Sequence, residues 1–300
     1  MFVITHRKFF FWLTGVVLVA AVGAIIGLGL PVGIDFTGGS LIKLQYANER
    51  PALSVIQEEA AKVPVGAVLV IPTDANQVTI RTRTLTPAEH TAMVQAVSEN
   101  ASTTELAFTS VGPALGSQFA HKALWALIAV VVAIIAYIAF AFRKVSKPVP
   151  SWGYGLTVIA ILAHDLIIPT GFFAIFAHFT GAEVDSLFVT ALLALLGYSV
   201  NDTIIIFDRV REHLRNNDKD HTHEEFAETV GKSIRETMTR SINTSLTVIL
   251  ALLALAVLGA QATRTFALVL LVGVVAGTYS SVLLAAPLLV PLSRYFIKKQ

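Results

Sequence analysis

Three places in this sequence put ionisable side chains inside or at the mouth of apolar stretches. His164-Asp165 lies within residues 153–176, Asp202 within residues 187–207, and Arg240 just before residues 242–258. A charge near the centre of a bilayer costs at least ~2.5–3.5 kcal/mol on insertion scales, so each of these groups needs a compensating role. Asp165 falls twelve residues after Gly153, roughly 18 Å along a helix that rises 1.5 Å per residue. Pro169, four residues on, has no N–H for the Asp165 carbonyl, which leaves that oxygen free beside the carboxylate. Such a pocket suits a proton, a hydronium ion or a small cation; the plainer alternative is a structural pair that packs two helices. Asp202 stands in the run Gly197-Tyr198-Ser199-Val200-Asn201-Asp202-Thr203. It shares a helical face with Tyr198 at i, i+4, with Leu195 and Ile205 near it. Helix–helix hydrogen bonds in membranes contribute about 0.6–2 kcal/mol each, too little to account for an ionised Asp. Arg240, Asn243, Thr244 and Thr247 follow i, i+3, i+4, i+7 and form one polar stripe. An Arg facing an Asp can hold it ionised, and protonation can break the pair; the alternative is an ordinary snorkelling Arg.

These groups point to ion exchange within a membrane rather than to enzymatic bond-making. The chain has no cysteine, so disulfides, Cys–zinc sites, Fe–S clusters and Cys nucleophiles are excluded. It carries no G-x-x-x-x-G-K-[ST] phosphate loop. His221 and His223 with Asp218 and Asp220 have no fixed geometry and read as a solvated loop rather than a metal site. No cofactor and no metal are expected.

The elements that must position these residues are membrane spans. Hydrophobic residues make up 55% of the 300 and charged residues 14%, against about 25% charged in soluble chains; the mean hydropathy is +0.70. A net charge of +2 is too mild for nucleic-acid binding, and the contact expected is with lipid. Six stretches reach the ~20 apolar residues a span requires: residues 9–30, 123–142, 153–176, 187–207, 242–258 and 266–287. The first is longer than the ~7–15-residue apolar core of a cleaved signal, so it reads as a retained span. Basic residues cluster on one side of the spans, with only Arg264 in the short loops opposite. The clusters are His6-Arg7-Lys8, then Arg143, Lys144 and Lys147, then the segment from Arg209 to Arg240, then Arg294, Lys298 and Lys299. Lys and Arg face the cytoplasm, so both termini, residues 1–8 and 293–300, and the segment 208–240 are expected inside a plasma (inner) membrane.

The long segment 31–122 is then extracytoplasmic. Its patterns predict strands over 40–46, 67–71, 77–83 and 104–110 and helices over 54–62 and 88–99, a β-α-β-β-α-β order of ferredoxin-like type. Inside, Phe226, Val230, Ile234 and Met238 recur every four residues, predicting an amphipathic helix on the cytoplasmic surface. Gly23 with Gly27, and Gly273 with Gly277 and Ser281, mark faces where helices pack closely. Asp35, Gly38 and Gly39 sit in a run directly after the first span, where the glycines permit a tight turn into a strand.

Several of these runs together resemble the SecF family of protein-export membrane proteins. The resemblance rests on Gly33-Ile34-Asp35-Phe36-Thr37-Gly38-Gly39, Val111-Gly112-Pro113-Ala114-Leu115-Gly116 and His164-Asp165. It rests further on Gly197 to Thr203 leading into Phe207-Asp208-Arg209-Val210-Arg211-Glu212, and on Arg240-Ser241-Ile242-Asn243-Thr244-Ser245. It covers nearly the whole chain, in order. It implies half of a twelve-span unit of the RND superfamily, completed by a SecD-like subunit and working beside the SecYEG channel and SecA. The pair would use the proton-motive force, or sodium, to help exported polypeptides on the outer side. By the same resemblance Asp202 and Arg240 match the ion-relay positions, with Asp165 in a further family motif and Tyr198, Asn201, Asn243 and His164 as supporting polar groups. Two other readings stand beside it. A purely structural subunit leaves the ionisable residues of the spans without a reason. Half of a small-molecule exporter calls for a larger outer domain with a ligand cleft.

Overall fold

The computed structural model describes residues 2–99, 101–143, 148–222 and 224–297. Lys144, Lys147, His223, Lys298 and Lys299, used above in reading charge and metal binding, lie outside the described residues. The chain forms two compact units, one of residues 1–29, 126–175 and 187–300, the other of residues 30–125 and 176–186.

The first unit is helical. A short α1 (Phe2–Thr5) precedes α2 (Arg7–Leu28). After α3 (Ile34–Thr37), α4 (Leu53–Ala61) and α5 (Pro87–Ser98) of the second unit come α6 (Pro113–Ala141), α7 (Ser151–Thr180), α8 (Ser186–Lys219), α9 (Phe226–Leu258), α10 (Gln261–Ser280) and α11 (Ala286–Ile297). A π-helical turn, Ser281–Ala285, joins α10 to α11 without a break. Among the described residues six helices are long and apolar enough to cross a membrane, α10 to α11 counting as one, as expected of a multi-pass membrane protein. Most of α2 and α6 is exposed, whereas α7, α8 and the last span form the buried centre. Phe142, Tyr154 and Phe207 stack there, with ring centroids 5.2 Å apart for both Phe142–Tyr154 and Tyr154–Phe207.

Two boundaries differ from the sequence reading. The basic segment after residue 207 stays helical in α8 as far as Lys219, and α9 runs unbroken from Phe226 into the fifth span. The stripe that predicted a surface helix packs inward instead. Val230 and Ile234 are buried in one cluster with Val3, Ile4, Ile206, Phe207 and Val210, with Phe226 and Met238 packed beside it. The 3.6-residue period was real, but its apolar side joins the buried cluster of the helical unit rather than lipid.

The second unit has the order β1 (Gly39–Tyr46), α4, β2 (Leu69–Asp74), β3 (Gln77–Thr82), α5 and β4 (Thr103–Val111). Its sheet is antiparallel in the order β2-β3-β1-β4. Alternation sets the core: Ile42, Leu44 and Tyr46 of β1 and Val78 and Ile80 of β3 meet Ile56 and Ala60 of α4 and Met93 and Val97 of α5. Thr86 and Glu89 close a capping box at the start of α5, with Pro87 in its first turn. Arg83 and the Thr86 backbone hold the Glu89 carboxyl down at about 2, so this cap keeps its charge throughout the physiological range.

The run after the first span folds into α3, a single turn that alternation does not predict. Gly38 and Gly39 have φ of +74° and +127°, a region that favours glycine. A Cβ on Gly38 would stand 2.7 Å from Pro113 Cα, and one on Gly39 2.7 Å from the Thr82 carbonyl oxygen. Asp35 Oδ2 accepts the N–H of Ser186, the first residue of α8, at 2.8 Å. Arg81 donates to Glu183 Oε1 and to Thr37 Oγ1, each at 2.8 Å. Burial pushes the Glu183 carboxyl above its ordinary value, against the pull of Arg81. Gly38→Ala is therefore expected to destabilise this unit by more than ~1 kcal/mol, seen as faster amide hydrogen exchange in β1 than in α7. Equal exchange in variant and native protein would contradict it.

Candidate functional site

The polar residues of the spans separate into three places. In the first, His164 and Asp165 of α7 are almost wholly buried, at 3% and 0% exposure. His164 Nδ1 lies 2.7 Å from Asp165 Oδ1, and His164 Nε2 2.5 Å from the Tyr279 hydroxyl of α10. Ser199 of α8 donates to Asp165 Oδ2. With Thr14 of α2 beside Tyr279, this network ties four helices together. Both oxygens of Asp165 are held, so the carboxylate is compensated as buried charges must be.

Small residues set the distances. On α10 and the π turn, Gly273, Gly277 and Ser281 meet Leu195, Ser199 and Thr203 of α8. Cβ atoms added to the two glycines would stand 2.4 Å from Leu195 Cδ2 and 3.1 Å from Ser199 Cβ, and the Ser281 and Thr203 hydroxyls are 2.8 Å apart. This ladder packs as its spacing foretold. Gly23 and Gly27 do not: their faces are open, and α2 meets α7 at Ala21, whose Cα would lie 2.6 Å from a Cβ on Gly171.

Asp202 is the second place. It is 3% exposed and faces Ser241 and Ser245 of α9, whose hydroxyls act on its carboxylate. Asp202 Oδ2 and Ser241 Oγ are both buried, yet neither completes a hydrogen bond among the described residues. Tyr198, one turn earlier on α8, donates to Ser245 Oγ at 3.0 Å. A buried carboxylate with unfilled acceptor capacity is costly in an apolar span and is suited to taking up a cation.

The third place is the outer flank of the same two helices. Asn201 of α8 and Arg240, Asn243, Thr244 and Thr247 of α9 are exposed. Thr244 and Thr247 satisfy their hydroxyls on their own helix, at Arg240 O (2.9 Å) and Thr244 O (2.8 Å). Arg240 influences Asp202 electrostatically but makes no ion pair among the described residues. The predicted stripe exists, then, on the face away from α8. Ser241 and Ser245, i and i+4, take the inward face, and Arg240 sits about 100° round the helix from Ser241. The sequence reading passed over both serines, although their spacing from each other was the available signal.

Known proteins match this chain over nearly its whole length. The family model described as "Protein export membrane protein SecD/SecF, C-terminal" matches residues 90–295. "Protein translocase subunit SecF" of Thermobaculum terrenum is 36% identical, over 96% of this chain and 92% of its own. "Protein translocase subunit SecDF" of Bacillus subtilis is 32% identical over 94% of this chain and 37% of its own. The crystal structure of SecDF, a translocon-associated membrane protein from Thermus thermophilus, superposes with a TM-score of 0.82 at 28% identity, over 97% of this chain. This chain spans 38% of the length of that solved protein. With a family model over most of its residues and SecF relatives over nearly all of them, the chain belongs to the SecD/SecF family of protein-export membrane proteins and aligns with its SecF members.

Proposed function

We propose that this chain is a SecF-type, non-catalytic subunit that couples ion movement across the plasma (inner) membrane to protein export, with Asp202 as the group that binds and releases the ion. The observation that carries this reading is the Asp202 carboxylate itself, buried in an apolar helix with Oδ2 unpartnered among the described residues. The exposed polar flank of Asn201, Arg240 and Asn243 supports a second six-span half beside it. The naming of the Bacillus subtilis relative and of the solved structure as SecDF makes a SecD-like subunit the fitting partner. In the assembled pair Arg240 would reach Asp202 from that covered flank, and protonation of the Asp would release it. Sodium could play the same part at this oxygen site. Asp165, with both oxygens bonded, positions α8 for this exchange through Ser199.

On this reading both termini are cytoplasmic, and the β-α-β-β-α-β unit is a ferredoxin-like outer domain. The pair acts beside the SecYEG channel and SecA on chains emerging at the outer side. The test is export into inverted membrane vesicles with and without an imposed proton gradient. Native complex should export faster when the gradient is present, and complex carrying Asp202→Asn should export at the gradient-free rate under both conditions. Equal stimulation in the two would remove Asp202 from the mechanism.

A further inference from the structure

Residues 181–186 lead from α7 into α8, and the rest of the second unit holds them at several points. Gly181 has φ +69°, and a Cβ on it would stand 2.8 Å from Ile71 Cγ2 of β2. Arg81 of β3 donates to Glu183 Oε1 from one guanidinium nitrogen and to Thr37 Oγ1 from another, each at 2.8 Å. Val184 pairs in parallel with Val32. Its N–H donates to the Pro31 carbonyl at 2.7 Å, and its carbonyl accepts the Gly33 N–H at 2.9 Å. Asp35 of α3 accepts the Ser186 N–H at 2.8 Å.

Connections of about 2–8 residues join helices without outside help, so chain closure does not account for these bonds. The first N–H groups of a helix have no partner within it. Here the first one of α8 goes to a carboxylate on α3, whose negative charge suits a helix N-terminus. The bonds also interlock. Arg81 holds Thr37, the Thr37 N–H donates to the Gly33 carbonyl at 3.2 Å, Gly33 holds Val184, and the neighbouring Glu183 returns to Arg81. Opening this ring breaks several bonds together and uncovers an ion pair whose side chains are only 22% and 15% exposed. A Cβ on Gly33 would stand 2.9 Å from the Val184 carbonyl oxygen, so the two backbones are in close contact.

Asp202 stands on the same unbroken helix, sixteen residues after Ser186. We propose that Asp35, Arg81 and Glu183 are positioning residues that fasten the start of α8 to the sheet, and that this joint stays closed throughout the transport cycle. A displacement of α8 set off at Asp202 then reaches the sheet as the movement of one body, with no flexible link between. This rests on Asp202 being the ion-exchanging group.

The experiment uses the full chain with its SecD-type partner, reconstituted for export with and without a proton gradient. The chain has no cysteine, so Val32→Cys with Val184→Cys gives it a single possible disulfide. Paired strands lie about 4.8 Å apart, within the ~4.4–6.8 Å between Cα atoms that a disulfide spans. Oxidation before reconstitution should join the pair and leave the stimulation by the gradient at its native size. Asp35→Ala with Arg81→Ala should bring export down to the gradient-free rate, while the complex still takes up the proton that Asp202→Asn abolishes. Adding the disulfide to this loosened chain should restore the stimulation. Arg81→Glu alone should lose it, and Arg81→Glu with Glu183→Arg should recover it, because the reversed pair keeps the bond and the new Arg lies near Asp35 and Asp185. A disulfide that abolishes the stimulation until it is reduced means that the joint must open, and it overturns the proposal. A loosened chain with native stimulation does the same, as does a cysteine pair that stays unjoined under oxidant. All three leave proton uptake at Asp202 intact. Native and Asp202→Asn complexes with equal proton uptake would overturn the ion-exchange reading as well.

Discussion

His164→Ala is expected to destabilise the span bundle more than any other single substitution at its polar sites. Asp165 is wholly buried, and His164 Nδ1 is the partner of its Oδ1. Removing the imidazole leaves that oxygen unpaired and deprives the Tyr279 hydroxyl of its contact in the same step. Breaking a buried pair by deleting one partner costs about 3–5 kcal/mol, because a charge stays behind with nothing to offset it. Thermal unfolding in detergent should show a midpoint several degrees lower. The double variant His164→Leu with Asp165→Leu should recover much of the loss, since an apolar replacement leaves no charge to compensate. If His164→Ala melts with the native protein, the network does not hold the helices as its geometry implies.

Asp202→Asn is expected to do the opposite, with a small effect on stability and a large one on work. Asparagine keeps the size and part of the hydrogen bonding, and it removes a buried charge whose Oδ2 has no partner among the described residues. The melting midpoint should hold or rise. One elementary charge crossing 100 mV is worth about 2.3 kcal/mol, roughly fiftyfold in rate if all of it lowers a barrier. That is the stimulation at stake, and the variant should lose nearly all of it while ATP-driven export continues. Arg240→Met should lose it too, by another route. Arg240 is exposed and free of ion pairs among the described residues, so the isolated chain should melt normally, and the defect should appear only with the partner in place. An Arg240→Met chain that is unstable by itself would mean that the residue serves this chain's own fold.

Much of this was legible in the sequence because local rules decide it. Apolar length fixes spans, and six were readable. Period-two alternation over 40–46 and 77–83 defines β1 and β3 to within a residue or so. What escaped depends on rotation about a helix axis, which spacing leaves open. Arg240, Asn243, Thr244 and Thr247 do form a stripe, but the stripe is silent on which neighbour it meets. Ser241 and Ser245, the less conspicuous pair, face Asp202 because their small side chains let α9 approach α8. The same ambiguity sent the Val230–Ile234 stripe to the cytoplasmic surface when it belongs in the buried cluster with Val3, Ile4, Phe207 and Val210. Gly23 and Gly27 have the spacing of a packing face and yet a Cβ on either would meet nothing within 4 Å among the described residues. Turn chemistry was half readable. Gly38-Gly39 announced a turn, but α3 and the reach of Asp35 to Ser186 depend on a contact 151 residues away in sequence.

Proton binding tests the central claim most directly. The SecD-type complex, purified in detergent and sodium-free buffer, can be titrated with its native chain and with Asp202→Asn, and the protons taken up counted. The account predicts that the native complex binds one more proton per chain than the variant over the pH range in which a gradient drives export. Superimposable titration curves, in complexes of equal integrity, would contradict it.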